Sequence, residues 1–153
     1  MGSFTVVRTI SIDAPPAIVH DLVDDFHHWT RWSPWEDLDP DLQRTYFGPE
    51  RGVGAHYAWT GNRKAGSGSM EIIGSTPEAV DITVKFLKPV KATNQTTLAF
   101  TPSGAGTDVR WEMTGEQKGL MAVMGRFMNM DKMIGPDFEK GLARLKAAAE
   151  AGP

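Results

Sequence analysis

The sequence predicts an α+β domain in which a curved antiparallel meander is covered by one long C-terminal helix. Three observations predict it. Apolar residues recur at every second position along most of the stretch from Leu42 to Met113. They recur at every third and fourth position from Leu120 to Leu145. Between residues 17 and 26 a short helical pattern runs into a segment holding Trp29, Trp32 and Trp35 within seven positions. Period two marks a strand with one buried face, and spacings of three and four mark a helix with an apolar stripe.

The elements follow in order. Val6, Arg8, Ile10 and Ile12 alternate with Thr5, Thr9 and Ser11, which predicts a first strand. Asp13-Ala14-Pro15-Pro16 ends it and opens a helix, with Asp13 as N-cap and a proline at the first helical position. Ala17, Ile18, Leu22, Val23 and Phe26 supply its spacing. Strands are then expected from Leu42 to Phe47, through Val53, Ala55, Tyr57 and Trp59, and around Met70 and Ile72. Others follow through Val80, Ile82, Val84 and Phe86, from Thr93 to Thr101, and through Val109, Trp111 and Met113. The last third is helical, and Gly135-Pro136 predicts a kink or break, because Pro136 has no N–H for the carbonyl of Lys132. No linker, low-complexity tract or repeat interrupts the 153 residues, so a single domain spanning 1–153 is expected.

The bulk numbers exclude several classes. A net charge of -3 and a pI near 5.8 argue against nucleic acid as the main partner, since phosphate binding calls for a basic face. There is no cysteine, so disulfide and thiolate chemistry are absent. The N-terminus lacks the basic region and apolar run of a signal peptide, and Val6 departs from the myristoylation pattern that Gly2 opens. No stretch is long and apolar enough to span a bilayer. The chain reads as cytoplasmic and soluble.

A curled sheet with one apolar face needs a cover, and the terminal helix alone is long enough to provide it. That packing tends to leave a gap lined by both apolar faces. Ile12-Asp13-Ala14-Pro15-Pro16, Trp29-Thr30-Arg31-Trp32-Ser33-Pro34-Trp35 and Gly52-Val53-Gly54-Ala55 resemble the START-related SRPBCC superfamily, in its polyketide cyclase and lipid-transport-like branch. Trp59-Thr60-Gly61-Asn62, Gly106-Thr107-Asp108-Val109-Arg110-Trp111 and Phe138-Glu139-Lys140-Gly141-Leu142 are similar to that branch too. The resemblance implies a helix-grip fold: seven antiparallel strands wrapped around a long C-terminal helix, two short helices after the first strand, and a deep apolar cavity. Its motifs are structural, so it transfers no catalytic residue, and it implies no cofactor.

The candidate ligand wall follows from the alternation. On the sheet it comprises Tyr57, Trp59, Met70, Ile82, Val84 and Phe86, continued by Phe100, Trp111 and Met113. The helix adds Met124, Phe127 and Met128, where flexible thioethers suit an adaptable pocket or simply fill core. Trp29 and Trp32 are expected to pin the short helices to the sheet, whereas Trp35 either does the same or forms the rim of the entrance, with Glu36 or His28 as polar partner.

Three further sets of residues carry chemistry on paper. Asp131 falls among Phe127, Ile134 and Phe138 by helical spacing. Facing a cavity it would have a raised pKa and act as acid, base or anchor; turned to solvent or paired with a base it would not. His20, Asp24 and His28 recur at intervals of four and on one helix would offer an N, O, N set to a divalent metal, against the plainer reading of a solvated face. Gly52-Val53-Gly54 and Gly66-Ser67-Gly68 lack the strand–helix context of a phosphate loop and read as turns.

The sequence thus predicts a domain that binds a small hydrophobic or amphipathic molecule (a lipid, polyketide or quinone-like compound) as carrier, sensor or sequestering protein. Two other readings stand beside it. One is a cyclase or dehydratase that folds a polyketide-like chain and moves a proton through Asp131 or His56. The other is a protein-interaction module like the chaperone activators of the same superfamily.

Overall fold

The structure, a computed structural model, describes residues 2–88, 91–117 and 130–151. Seven strands form one antiparallel sheet: β1 (Gly2–Ile12), β2 (Gln43–Phe47), β3 (His56–Thr60), β4 (Ser67–Thr76), β5 (Ala79–Lys88), β6 (Ala92–Ser103) and β7 (Gly106–Gln117). Their spatial order is β1-β7-β6-β5-β4-β3-β2, so a meander from β2 to β7 is closed by β1. Helix α1 (Pro16–Asp24), a 3-10 turn (Phe26–Arg31) and helix α2 (Met130–Glu150) complete the described fold.

The register aligns side chains in rows across the inner face. One row runs through all seven strands: Phe4, Gly115, Asn94, Val84, Met70, Tyr57 and Tyr46. The next holds Val6, Met113, Thr96, Ile82 and Ile72, and another holds Arg8, Trp111, Leu98 and Val80. Most of these side chains are buried, as one-sided alternation requires. Helix α2 closes the β1 side with Phe138, Leu142 and Leu145, all buried, and the Phe138 ring lies flat on Trp111 at 4.0 Å.

The tryptophan segment is largely core. Trp29 and Trp32 are buried, and their indole N–H groups donate to the carbonyls of Val23 and Leu22, each at 2.8 Å. Those carbonyls belong to the last turn of α1, where no helical N–H remains to serve them. The indoles therefore finish the helix as well as fill the core.

Four expectations are corrected. Helix α1 ends at Asp24 rather than Phe26, because Asp25 turns extended and caps the 3-10 turn by accepting the N–H of His27. Asp13 does not cap α1; Pro15 holds that position, and the Asp13 N–H donates to Glu150 at 2.8 Å. Val53 lies before β3 and is 59% exposed, in a turn where Gly52 and Gly54 both take positive φ. Of the kink or break expected at Gly135-Pro136, the break does not occur: helix α2 runs through Pro136. Arg8 spans the step, donating to Asp131 at 2.8 and 2.9 Å on one side and to Glu139 at 2.8 Å on the other.

Candidate functional site

The sheet residues of the predicted wall lie on one face of the sheet. Tyr57, Ile82, Val84, Phe100, Trp111 and Met113 are buried on the inner face. Trp59, Met70 and Phe86 share that face but are only half-buried, as is Trp35. Trp59, Met70 and Phe86 cluster on β3, β4 and β5, where Trp59 stacks on Tyr57 at 6.1 Å and meets Phe86 edge-on at 5.9 Å. Trp35 stands between helix and sheet, edge-on to Trp111 at 5.9 Å and to Phe138 at 6.3 Å. Its N–H donates to Asp137 at 3.4 Å, which ties it to α2 rather than leaving it free at a rim. Met124, Phe127 and Met128 lie outside the described residues.

A polar group that sequence reasoning missed meets this apolar floor. Arg44 falls on the inner face beside Trp59 in the β2–β3 register and forms an ion pair with Glu36, the residue after Trp35. Burial, then the negative charge of Glu36, pushes the Tyr57 hydroxyl well above the ordinary tyrosine pKa, and the positive charge of Arg44 acts on it as a smaller, opposing influence. Tyr46 is shifted the same way by the same two causes, and its ring stands 5.3 Å from Tyr57. Tyr57 is therefore a fixed hydrogen-bond donor at neutral pH, with a compensated charge pair behind it. The signal available in sequence was parity: Arg44 and Tyr46 alternate on β2 as inward residues do.

Asp131 follows the second of its two expected readings, paired with a base. It is half-exposed, and the Arg8 hydrogen bonds hold its carboxyl below the ordinary carboxylate range, opposite to the raised value a cavity acid needs. The cause lies on β1, where Arg8 occupies an inward position between Val6 and Ile10. The helix stripe containing Asp131 faces the edge strand and its arginine.

The metal set is also dispersed. His28 sits in the 3-10 turn, its Nδ1 2.9 Å from the Asp21 carbonyl, because α1 has already ended. His20 and Asp24 converge instead on Ser75 of β4, whose hydroxyl donates to Asp24 at 2.6 Å and lies 3.3 Å from His20 Nε2. Among the described residues no group of three or more His, Cys, Asp or Glu is placed to hold a metal ion.

A separate cleft of about 230 Å³ opens at the sheet's β2 edge, lined by Phe26, His27, Tyr46, Phe47, Glu50 and His56 among others. None of the predicted wall residues lines it. His56 lies on the opposite face of β3 from Tyr57, with its Nδ1 2.8 Å from the Gly54 carbonyl and its Nε2 3.2 Å from Glu71.

Comparison with known proteins agrees with this architecture. A protein from Nitrosospira multiformis has 21% identity over 95% of this chain and 96% of its own, with a TM-score of 0.68. Major latex-like protein 151 from Panax ginseng has 12% identity over 96% and 97%, with a TM-score of 0.68. DynU16, from the dynemicin biosynthetic locus, has 16% identity; the match covers 97% of this chain and 48% of that one, with a TM-score of 0.65. At these identities the likeness is one of fold. No curated protein matches the sequence. The family model for polyketide cyclase/dehydrase and lipid transport matches residues 3–150, and with the helix-grip sheet and terminal helix now in view, the chain belongs to that family.

Proposed function

We propose that this domain binds a small hydrophobic or amphipathic molecule against the inner face of its sheet, as a carrier, sensor or sequestering protein. The observation that carries the reading is the half-buried floor of Trp59, Met70 and Phe86 beside the Glu36–Arg44–Tyr57 group. An apolar body would lie on the rings and thioether, gaining roughly 25 cal/mol per Å² buried before ordering costs. A polar end would take a hydrogen bond from Tyr57 or Arg44. A few convergent polar groups in a mostly apolar lining are the usual composition of a small-molecule site.

One observation favours an enzyme as a second reading. Tyr57, Arg44 and Glu36 are titratable groups converging at one point, and a buried neutral tyrosine backed by a guanidinium can polarise a substrate carbonyl. This would suit ring closure or dehydration on a polyketide-like chain, with Tyr57 in the part first assigned to Asp131. Family names support both readings equally.

Native mass spectrometry of the purified protein, followed by organic extraction, tests the proposal. A stoichiometric co-purifying lipid, quinone or aromatic compound supports it and supplies a molecule to assay for turnover. A bare protein mass, together with no binding of decanoic acid or naphthols by calorimetry, counts against it and leaves the protein-interaction reading, for which exposed Phe47, Val53 and Ile73 would be the starting surface.

A further inference from the structure

We infer that Asn94 selects the ligand of the inner face, favouring molecules whose inward end carries a carbonyl or hydroxyl oxygen over those ending in a methyl group; this rests on the binding reading above. Asn94 is 6% exposed and sits in the row that crosses the sheet, between Gly115 and Val84 and two strands from Met70. The alternation of β6 puts it at an inward position with Thr96, Leu98 and Phe100. Thr96 is fully partnered there, donating to the Glu112 carbonyl and accepting from Trp111.

Asn94 is not so provided. Among the described residues its side chain makes one hydrogen bond, from Nδ2 to the sulfur of Met113 at 3.8 Å. A thioether is a weak acceptor, and a primary amide has two donors and an acceptor oxygen to satisfy. Among the described residues no fully enclosed side-chain nitrogen or oxygen lacks a partner, so Asn94 Oδ1, which accepts no side-chain hydrogen bond there, keeps some accessible surface. Gly115 opposite leaves the room that group fills: a methyl added there would collide with Asn94 Oδ1. Leucine or valine would be the ordinary choice for such a wall, since an under-paired amide gives up stability that an apolar side chain keeps.

Asn94 on β6 and Tyr57 on β3 are three strand spacings apart, about 14 Å between backbones, with Val84 and Met70 between them. Two polar stations thus flank an apolar strip. A rigid apolar body with an oxygen at each end satisfies both. A straight acyl chain anchored at Tyr57 puts its methyl against the carboxamide and shuts the amide off from water unpaired, which is how a polar site rejects a ligand lacking its partner.

The test is calorimetric titration of the full chain with 2,6-dihydroxynaphthalene, 6-methyl-2-naphthol and decanoic acid. The first two share shape and differ at one end. The expected result is at least tenfold tighter binding of the dihydroxy compound, with the ratio falling to near one in Asn94→Leu. Tyr57→Phe is expected to weaken both naphthols together and preserve the ratio. Should Asn94→Leu fail to fold, Asn94→Val takes its place, and the wild-type ratio stands as a test by itself. Equal affinity for the two naphthols in the wild type, or a ratio unchanged in the variant, overturns the role of Asn94 while leaving the binding site intact. If none of the three compounds binds, the binding reading falls, and this inference with it.

Discussion

The guanidinium of Arg8 on β1 occupies the space directly over Gly135 of α2, where an added methyl group would stand 2.0 Å from Nη2. Asp131 and Glu139, one turn to either side, accept its hydrogen bonds. Strand and helix are thereby locked in one register across the Pro136 step. An alanine in a helix interior normally stabilises by up to about 1 kcal/mol over glycine. Here Gly135→Ala is expected to do the opposite and lower the melting temperature by several degrees, as overpacking of about 1–3 kcal/mol would. Thermal denaturation followed by circular dichroism decides the sign.

The same clamp has a pH signature. The Asp131 carboxyl is held below its ordinary value of 3.8 by Arg8, so its contribution is present above that pH and is lost as pH falls through the lower folded value. Wild type is expected to be more stable than Asp131→Asn at pH 6, and the gap should close below pH 3.8. Paired urea titrations at several pH values measure it.

Tyr57 gives the alkaline counterpart. Burial, then Glu36, raises its pKa above the ordinary 10.0, so the unfolded chain ionises first and stability falls as pH rises beyond 10. Tyr57→Phe is expected to lose less stability between pH 9 and 11 than wild type, as read by denaturant midpoints. Tyr46 leaves part of the slope in place.

Trp32 and Trp35 should separate structure from site. Trp32→Phe strands the buried Leu22 carbonyl and is expected to cost roughly 1–3 kcal/mol of stability. Trp35→Phe loses only a 3.4 Å contact to Asp137 and should cost less. Urea unfolding of both variants checks the order.

The fold was legible because its two periods are written in apolar residues: alternation from β2 to β7, and threes and fours in α2. The inner wall followed from the same alternation. What escaped depends on pairs far apart in sequence. Arg8 sits inward between Val6 and Ile10, but its partners are 123 and 131 positions away. A helical wheel therefore placed Asp131 in an apolar stripe without showing that the stripe meets a cationic strand. His28 left its expected face because Asp25 turned extended, a backbone choice that intervals of four do not reveal. Asn94 had a signal that was there to read, a carboxamide at an inward position of an otherwise apolar strand.

The most direct test of the central claim is isotope-filtered NMR of the labelled protein with 2,6-dihydroxynaphthalene. The account predicts cross-peaks from ligand protons to the Met70 methyl and to the rings of Trp59 and Phe86. Cross-peaks confined to His27, Tyr46 and His56 at the β2-edge cleft, or to the exposed Phe47 and Ile73, would contradict it.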